Sequence, residues 1–143
     1  MENIILIGLM GAGKTTVGKK LAQRIGWTFI DTDHLVERRC GTNINVIFDV
    51  EGENGFRIRE HKILDEIMKN KNQVIASGGG APIELKNRKL ISQGFVVYLF
   101  AEPMSIWKRL KADDSRPILN SSKNLKKTIE DLFLLRDPIY KEL

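Results

Sequence analysis

Residues 8–15 read Gly8-Leu9-Met10-Gly11-Ala12-Gly13-Lys14-Thr15, a full match to the pattern G-x-x-x-x-G-K-[ST]. Such a stretch works only between a strand and a helix, so it constrains the fold at once. Its glycines let the loop curl until backbone N–H groups point inward at phosphate oxygens. The following helix adds partial positive charge at its N-terminus. Both flanks suit. Residues 3–8 are a short apolar run ending in glycine, which reads as a buried strand. In residues 14–25, Val17, Leu21 and Ile25 recur at every fourth position, which reads as an amphipathic helix. Lys14 can reach the β- and γ-phosphates, and Thr15 can offer a hydroxyl to Mg²⁺. Gly11, Ala12, Gly13, Lys14, Thr15 and Thr16 are therefore expected to hold a nucleoside triphosphate with Mg²⁺, ATP being the first candidate.

The rest of the chain continues the alternation. Further strands are expected at 28–31, 73–77 and 95–100, and helices at 33–40, 51–69, 82–92, 103–111 and 124–136. A polar loop is expected at 112–123. Short continuous apolar strands between helices imply a parallel sheet covered on both faces. Right-handed crossovers put every strand's C-terminal end on one rim, where ligands of such sheets bind. The rim positions are those after residue 8, at 31–33, at 77–80 and after 100.

With 143 residues the chain is long enough for one domain with a real core. Its single cysteine, Cys40, excludes an intrachain disulfide and points to a reducing cytoplasm. No secretory signal or membrane span is read, the longest apolar run being 95–101. The net charge is +5, and segment 108–127, with seven basic and two acidic residues, carries all of it. Such a segment attracts polyanions, nucleotide phosphate and nucleic acid alike, or is simply a solvated face.

The acceptor must come from elsewhere. No N-K-x-D run is present, and the chain is short for a nucleotide switch. Asp31 and Asp33 close the second strand. One of these carboxylates can join the Mg²⁺ shell while the other takes a proton from an acceptor hydroxyl. The competing reading is that Asp33 only caps the next helix. At the third rim position stand Ser77-Gly78-Gly79-Gly80-Ala81-Pro82. A tight turn explains one glycine. Three suggest a backbone stripped of side chains to meet a ligand, with free N–H groups or positive φ angles.

The ordered combination of GLMGAGKTT, FIDTD, GFRIRE (55–60), SGGGAP (77–82), SRPIL (115–119) and LRDPIYKEL (135–143) resembles the shikimate kinases from Asn3 to Leu143. The resemblance implies a three-layer α/β fold for phosphate-loop kinases, with helices on both faces of a parallel sheet. It implies a single domain over 1–143 with substrate-binding helices at about 33–69 and a lid at about 112–123. Family members continue with one more strand and a helix. A truncated chain with sheet order 2-3-1-4, lacking the fifth strand and with 95–100 on its edge, is therefore expected. The implied activity is transfer of the γ-phosphate of ATP to the 3-hydroxyl of shikimate in aromatic amino-acid synthesis. Asp33 would be the base and hold the substrate hydroxyls. Arg57 and Arg136 would bind the shikimate carboxylate, and Gly78, Gly79 and Gly80 would line its pocket. Lys14 and Arg116 would act on the transferring phosphate, and Arg109 would lie near the adenine. Mg²⁺ would be held by Thr15 and, through water, by Asp31 and Ser77. The expected partners are ATP and shikimate, with no nucleic acid or membrane, in a cytoplasmic monomer.

Other readings of the same residues stand beside these. Arg57 could be a surface ion-pair partner of Glu53 or Glu60, with Glu60 bracing its guanidinium. Arg136 could serve a helix C-terminus. His61 reads as helix surface, and Cys40, Trp27 and Trp107 as packing or surface residues. A kinase for another polyol acid or for a nucleotide, a silent ATP-binding regulator and a nucleic-acid ATPase are the alternatives. The last lacks an aromatic-interleaved basic stretch.

Overall fold

Strands β1 (Asn3–Ile7) and β3 (Gln73–Ala76) pair in parallel at the centre of the molecule because both are apolar on both faces. The computed structural model describes residues 3–110 and 125–143. Strand β2 (Thr28–Asp31) adds to β3, and β4 (Phe95–Tyr98) adds to β1, giving the parallel order β2-β3-β1-β4. This is the order expected from the sequence. The parallel register pairs Ile5 with both Ile75 and Val96, and Ile30 with Ile75.

Side-chain alternation along the strands divides the core in two. Leu6 and Val74 face α1 (Lys14–Ile25) and pack with Ala22, Trp27 and Phe29. Gly18 lies in that contact, and a Cβ there would sit 3.1 Å from the Phe29 ring carbon Cδ1. Ile5, Ile7 and Ile75 face the larger core. It is completed by α2 (Thr32–Cys40), α3 (Ile44–Ile67), α4 (Leu85–Ile91), α5 (Pro103–Leu110) and α6 (Leu125–Glu142). Cys40 and Trp107 pack against this core, as expected.

Three helix boundaries differ from the sequence reading. Helix α3 begins at Ile44, well before the expected 51, because the Asn43 side chain accepts from the Val46 N–H and caps it. The helix is broken at Gly52 (φ 72°, ψ −178°), so the apolar stripe changes direction there and no single periodicity runs through it. The expected helix at 82–92 is a one-turn 3-10 segment, Ala81–Ile83, separated from α4 by an extended Glu84 (ψ 127°). Helix α6 runs past 136 and through Pro138, which removes one hydrogen bond, to the Leu134 carbonyl.

Strand β4 lies at the end of the sheet with Phe95 half exposed, as expected of an edge. The lid at 112–123, and Arg116 with it, lie outside the described residues. No helix among the described residues is long and apolar enough to cross a membrane.

Candidate active site

The C-terminal ends of β1, β2 and β3 open into one cavity of about 1020 Å³. The phosphate loop forms one wall. Gly11 (φ 84°) and Gly13 (φ 99°) hold left-handed backbone that a side chain would strain, and Gly13 caps α1 through its carbonyl. Lys14 Nζ donates to the Gly8 carbonyl at 2.5 Å and the Leu9 carbonyl at 3.0 Å. From the end of α5, Arg109 donates to the Gly11 carbonyl at 2.8 Å.

At β2 the two aspartates divide their work. Asp31 is extended (φ −104°, ψ 117°), and its Oδ1 accepts from the Asp33 and His34 N–H groups at 3.0 and 3.2 Å. Its Oδ2 accepts from the Thr15 hydroxyl at 2.8 Å. Asp31, not Asp33, is therefore the helix cap, and it ties the phosphate loop to α2. Asp33 sits one step inside the helix and lines the cavity. The buried Thr32 between them accepts from the Gly78 N–H at 3.0 Å.

The three glycines are explained by neighbours. A Cβ on Gly78 would lie 2.8 Å from Asp33 Oδ1 and 2.9 Å from Glu60 Oε2. One on Gly79 would lie 3.2 Å from Arg136 Nη1, and one on Gly80 would overlap the Arg57 guanidinium. None of the three has a positive φ, and the Gly78 N–H is already taken by Thr32. The glycines are thus required by close side chains on α2, α3 and α6. A left-handed backbone is not the reason, and the idea of a free donor fails at Gly78. Gly80→Ala is expected to displace Arg57 and raise the KM for a carboxylate acceptor at least about tenfold, leaving the KM for ATP unchanged. Steady-state kinetics varying each substrate checks this.

Arg57 is not a surface residue. Its Nη1 donates to Glu60 Oε1 at 2.9 Å, and the Glu60 side chain is fully buried. The Phe56 ring lies under the guanidinium, 5.2 Å away, and Glu53 approaches at 3.4 Å from the exposed side. Burial pulls the Arg57 pKa down, but Glu60 and Glu53 outweigh it, so the group stays a cation. Arg136 lies six positions before the end of α6 and is 7% exposed, which removes the helix-terminus reading. Its Nε and Nη1 have no hydrogen-bond partner among the described residues, nor has Glu60 Oε2. Buried polar groups are rarely left so, and at this place they mark a polar ligand's position.

Burial pushes the Glu60 carboxyl up to about 7; Asp33 adds to the shift, while Arg57 and Arg136 oppose it. The unfolded carboxyl titrates near 4.5, so the native state holds the extra proton between these values. Stability from this group is therefore greatest at the acid end and falls as pH rises through that window, by roughly 3 kcal/mol. Urea unfolding of the wild type and Glu60→Gln from pH 5 to 8 checks it. The difference should move against the wild type as pH rises, and a constant difference contradicts it.

Gly11, Ala12, Gly13, Lys14, Thr15, Thr16, Asp31, Asp33, Arg57, Ser77, Gly78, Gly79, Gly80, Arg109 and Arg136 all line this one cavity. Ser77 turns its hydroxyl to the Leu6 carbonyl at 3.3 Å. His61 lies outside the cavity lining, bonded to Asn87 at 2.7 Å. Sequence reasoning missed Thr32, Tyr140 and the stacked pair Phe48–Phe56 (centroids 5.1 Å apart) that walls the cavity. Phe48, four positions after Ile44, carried a helical-spacing signal, while Phe56 lies beyond the break at Gly52. Among the described residues no cluster of three or more His, Cys, Asp or Glu could hold a metal. Thr15 and Asp31 offer instead a few hard oxygen donors, which suits a Mg²⁺ held mainly by phosphates and water.

A parallel sheet with this loop on its first strand, a cationic pocket and a carboxylate beside it defines a phosphate-loop kinase. A family model described as shikimate kinase matches residues 10–143. Shikimate kinase from Burkholderia thailandensis is 48% identical over 98% of the chain and 76% of its own length. The enzyme from Nitrosomonas europaea is 52% identical over 98% of the chain and 66% of its own length. The solved shikimate kinase of Acinetobacter baumannii in complex with shikimate superposes with a TM-score of 0.96 at 45% identity, covering 99% of this chain and 79% of that one. The chain belongs to the shikimate kinase family.

Proposed function

We propose that this protein transfers the γ-phosphate of ATP to the 3-hydroxyl of shikimate, giving shikimate 3-phosphate and ADP. The observation that carries this is the meeting of Asp33, Glu60, Arg57 and Arg136 around Gly78–Gly80, beside a phosphate loop. A planar carboxylate is matched by two guanidinium groups. Arg136 is buried with N–H groups in need of an acceptor, and Arg57 is held in place by Glu60.

The loop N–H groups, Lys14 and Thr16 hold the triphosphate, and Arg109 flanks the nucleotide from α5. Thr15 would hold Mg²⁺, with Asp31 and Ser77 reaching it through water. When bound, the ion neutralises charge on the β- and γ-phosphates. Asp33 accepts the proton of the acceptor hydroxyl as its oxygen bonds to the γ-phosphorus and the bond to the ADP oxygen breaks. Lys14 and Arg116 stabilise the charge on the transferring group. Most of the rate enhancement is then positioning and electrostatics. On this reading the protein is a monomer acting on ATP and shikimate, with neither a membrane nor a nucleic acid needed. A cytoplasmic location fits the lone Cys40.

The product tests the reading. Phosphorus–proton correlation spectroscopy of the reaction mixture should show a single phosphomonoester coupled to the proton on C3. Phosphate on another hydroxyl, or inorganic phosphate alone, contradicts it.

A further inference from the structure

Tyr140 lies near the end of α6, is 1% exposed, and belongs to the main core by burial. Its hydroxyl, however, is spent on the site. It donates to the Gly79 carbonyl at 2.5 Å, across 61 residues of sequence. The Arg136 cation, one helical turn back, acts on the same hydroxyl and opposes the upward shift that burial gives its pKa. A tyrosine oxygen has one proton and lone pairs to spare, so it can serve both neighbours at once. Burial pushes its pKa up, which keeps that proton in place at neutral pH.

The ring itself is fixed from behind. It packs on Tyr98 with centroids 5.0 Å apart. Tyr98 donates to Asp137 at 2.7 Å, and Asp137 pairs with Lys141 at 3.0 Å. The Tyr140 oxygen is thus a rigid point beside both the glycine loop, to which it donates, and an arginine whose Nε and Nη1 have no hydrogen-bond partner among the described residues. That same Arg136 Nη1 lies 3.2 Å from where a Gly79 Cβ would stand. The contact between α6 and the loop is therefore set through one hydroxyl.

We infer that Tyr140 is a positioning residue for the acceptor: its hydroxyl locks the Arg136 guanidinium to the Gly79 backbone and so sets affinity for the carboxylate substrate without acting on nucleotide. This rests on the shikimate-phosphorylating reading above. Tyr140→Phe keeps the ring and removes the oxygen. The Kd for shikimate, by calorimetry, and its KM are expected to rise about tenfold, with kcat within threefold and the KM for ATP within twofold. Tyr98→Phe keeps the ring against Tyr140 but removes the neighbouring hydroxyl, which donates to Asp137, and should leave the shikimate KM unchanged. A purely packing role moves neither constant in Tyr140→Phe, and a shikimate KM within twofold of wild type overturns the inference. So does an equal rise in both substrates' KM, or the same loss in Tyr98→Phe. A wild type that neither binds nor phosphorylates shikimate overturns this inference and the functional reading together. A wild type that does both, with Tyr140→Phe unaffected, overturns the inference alone.

Discussion

Asp33→Asn is expected to lower kcat for shikimate phosphorylation by about 10²- to 10⁴-fold, the usual contribution of a general base. The substitution is nearly isosteric. The backbone N–H of residue 33 still donates to Asp31, so the cap of α2 is kept. Asp31 also keeps its bond to Thr15, so the phosphate loop and ATP affinity should be untouched. What is lost is a carboxylate facing the cavity next to Gly78, with a second carboxyl, Glu60, nearby. Glu60 is not a substitute: its Oε1 is engaged by Arg57, which it holds in place. Initial rates at saturating ATP and shikimate measure the effect. A kcat within tenfold of wild type would remove Asp33 from the role of base.

Arg136→Met is expected to raise the KM for shikimate by a hundredfold or more while leaving the melting temperature unchanged or higher. The two halves of this result have one cause. Arg136 is buried, and its Nε and Nη1 lack partners among the described residues, a cost of order 1–3 kcal/mol that methionine does not carry. With a carboxylate bound, those same groups make charge-assisted hydrogen bonds, each worth about 1.5–3 kcal/mol. Removing two of them amounts to roughly 3 kcal/mol or more, which is a factor of a hundred or greater in affinity. A scanning-calorimetry melt and a shikimate titration on the same sample measure both. A clear fall in melting temperature with little change in KM would make Arg136 a structural residue.

The sequence carried the sheet and its rim unusually far. The match at 8–15 needed a strand before it and a helix after it, and both are there. Four short apolar runs could only be a parallel sheet, and its order followed from the resemblance. The site's parts were legible as residue types, but their mutual fit was not. Asp31 and Asp33 are interchangeable on paper. The extended backbone at Asp31 decides which caps the helix and which faces the cavity. Gly80 must be glycine because of Arg57, and Gly78 because of Asp33 and Glu60. Those contacts join segments about twenty to forty-five positions apart, where no local pattern can report them. Tyr140 stood in the sequence only as part of the LRDPIYKEL match, and only the fold puts its hydroxyl on Gly79. Helix α3 was expected from 51 because its apolar pattern does not run through Gly52, where the chain kinks and the helix continues on both sides.

The most direct test is acceptor-dependent ADP release with ATP and Mg²⁺, comparing shikimate with quinate, gluconate and nucleoside monophosphates. Release that requires shikimate, and is slow or absent with the others and with no acceptor, is the expected result. Equal release with a nucleoside monophosphate or without acceptor, or no release with shikimate, would contradict it.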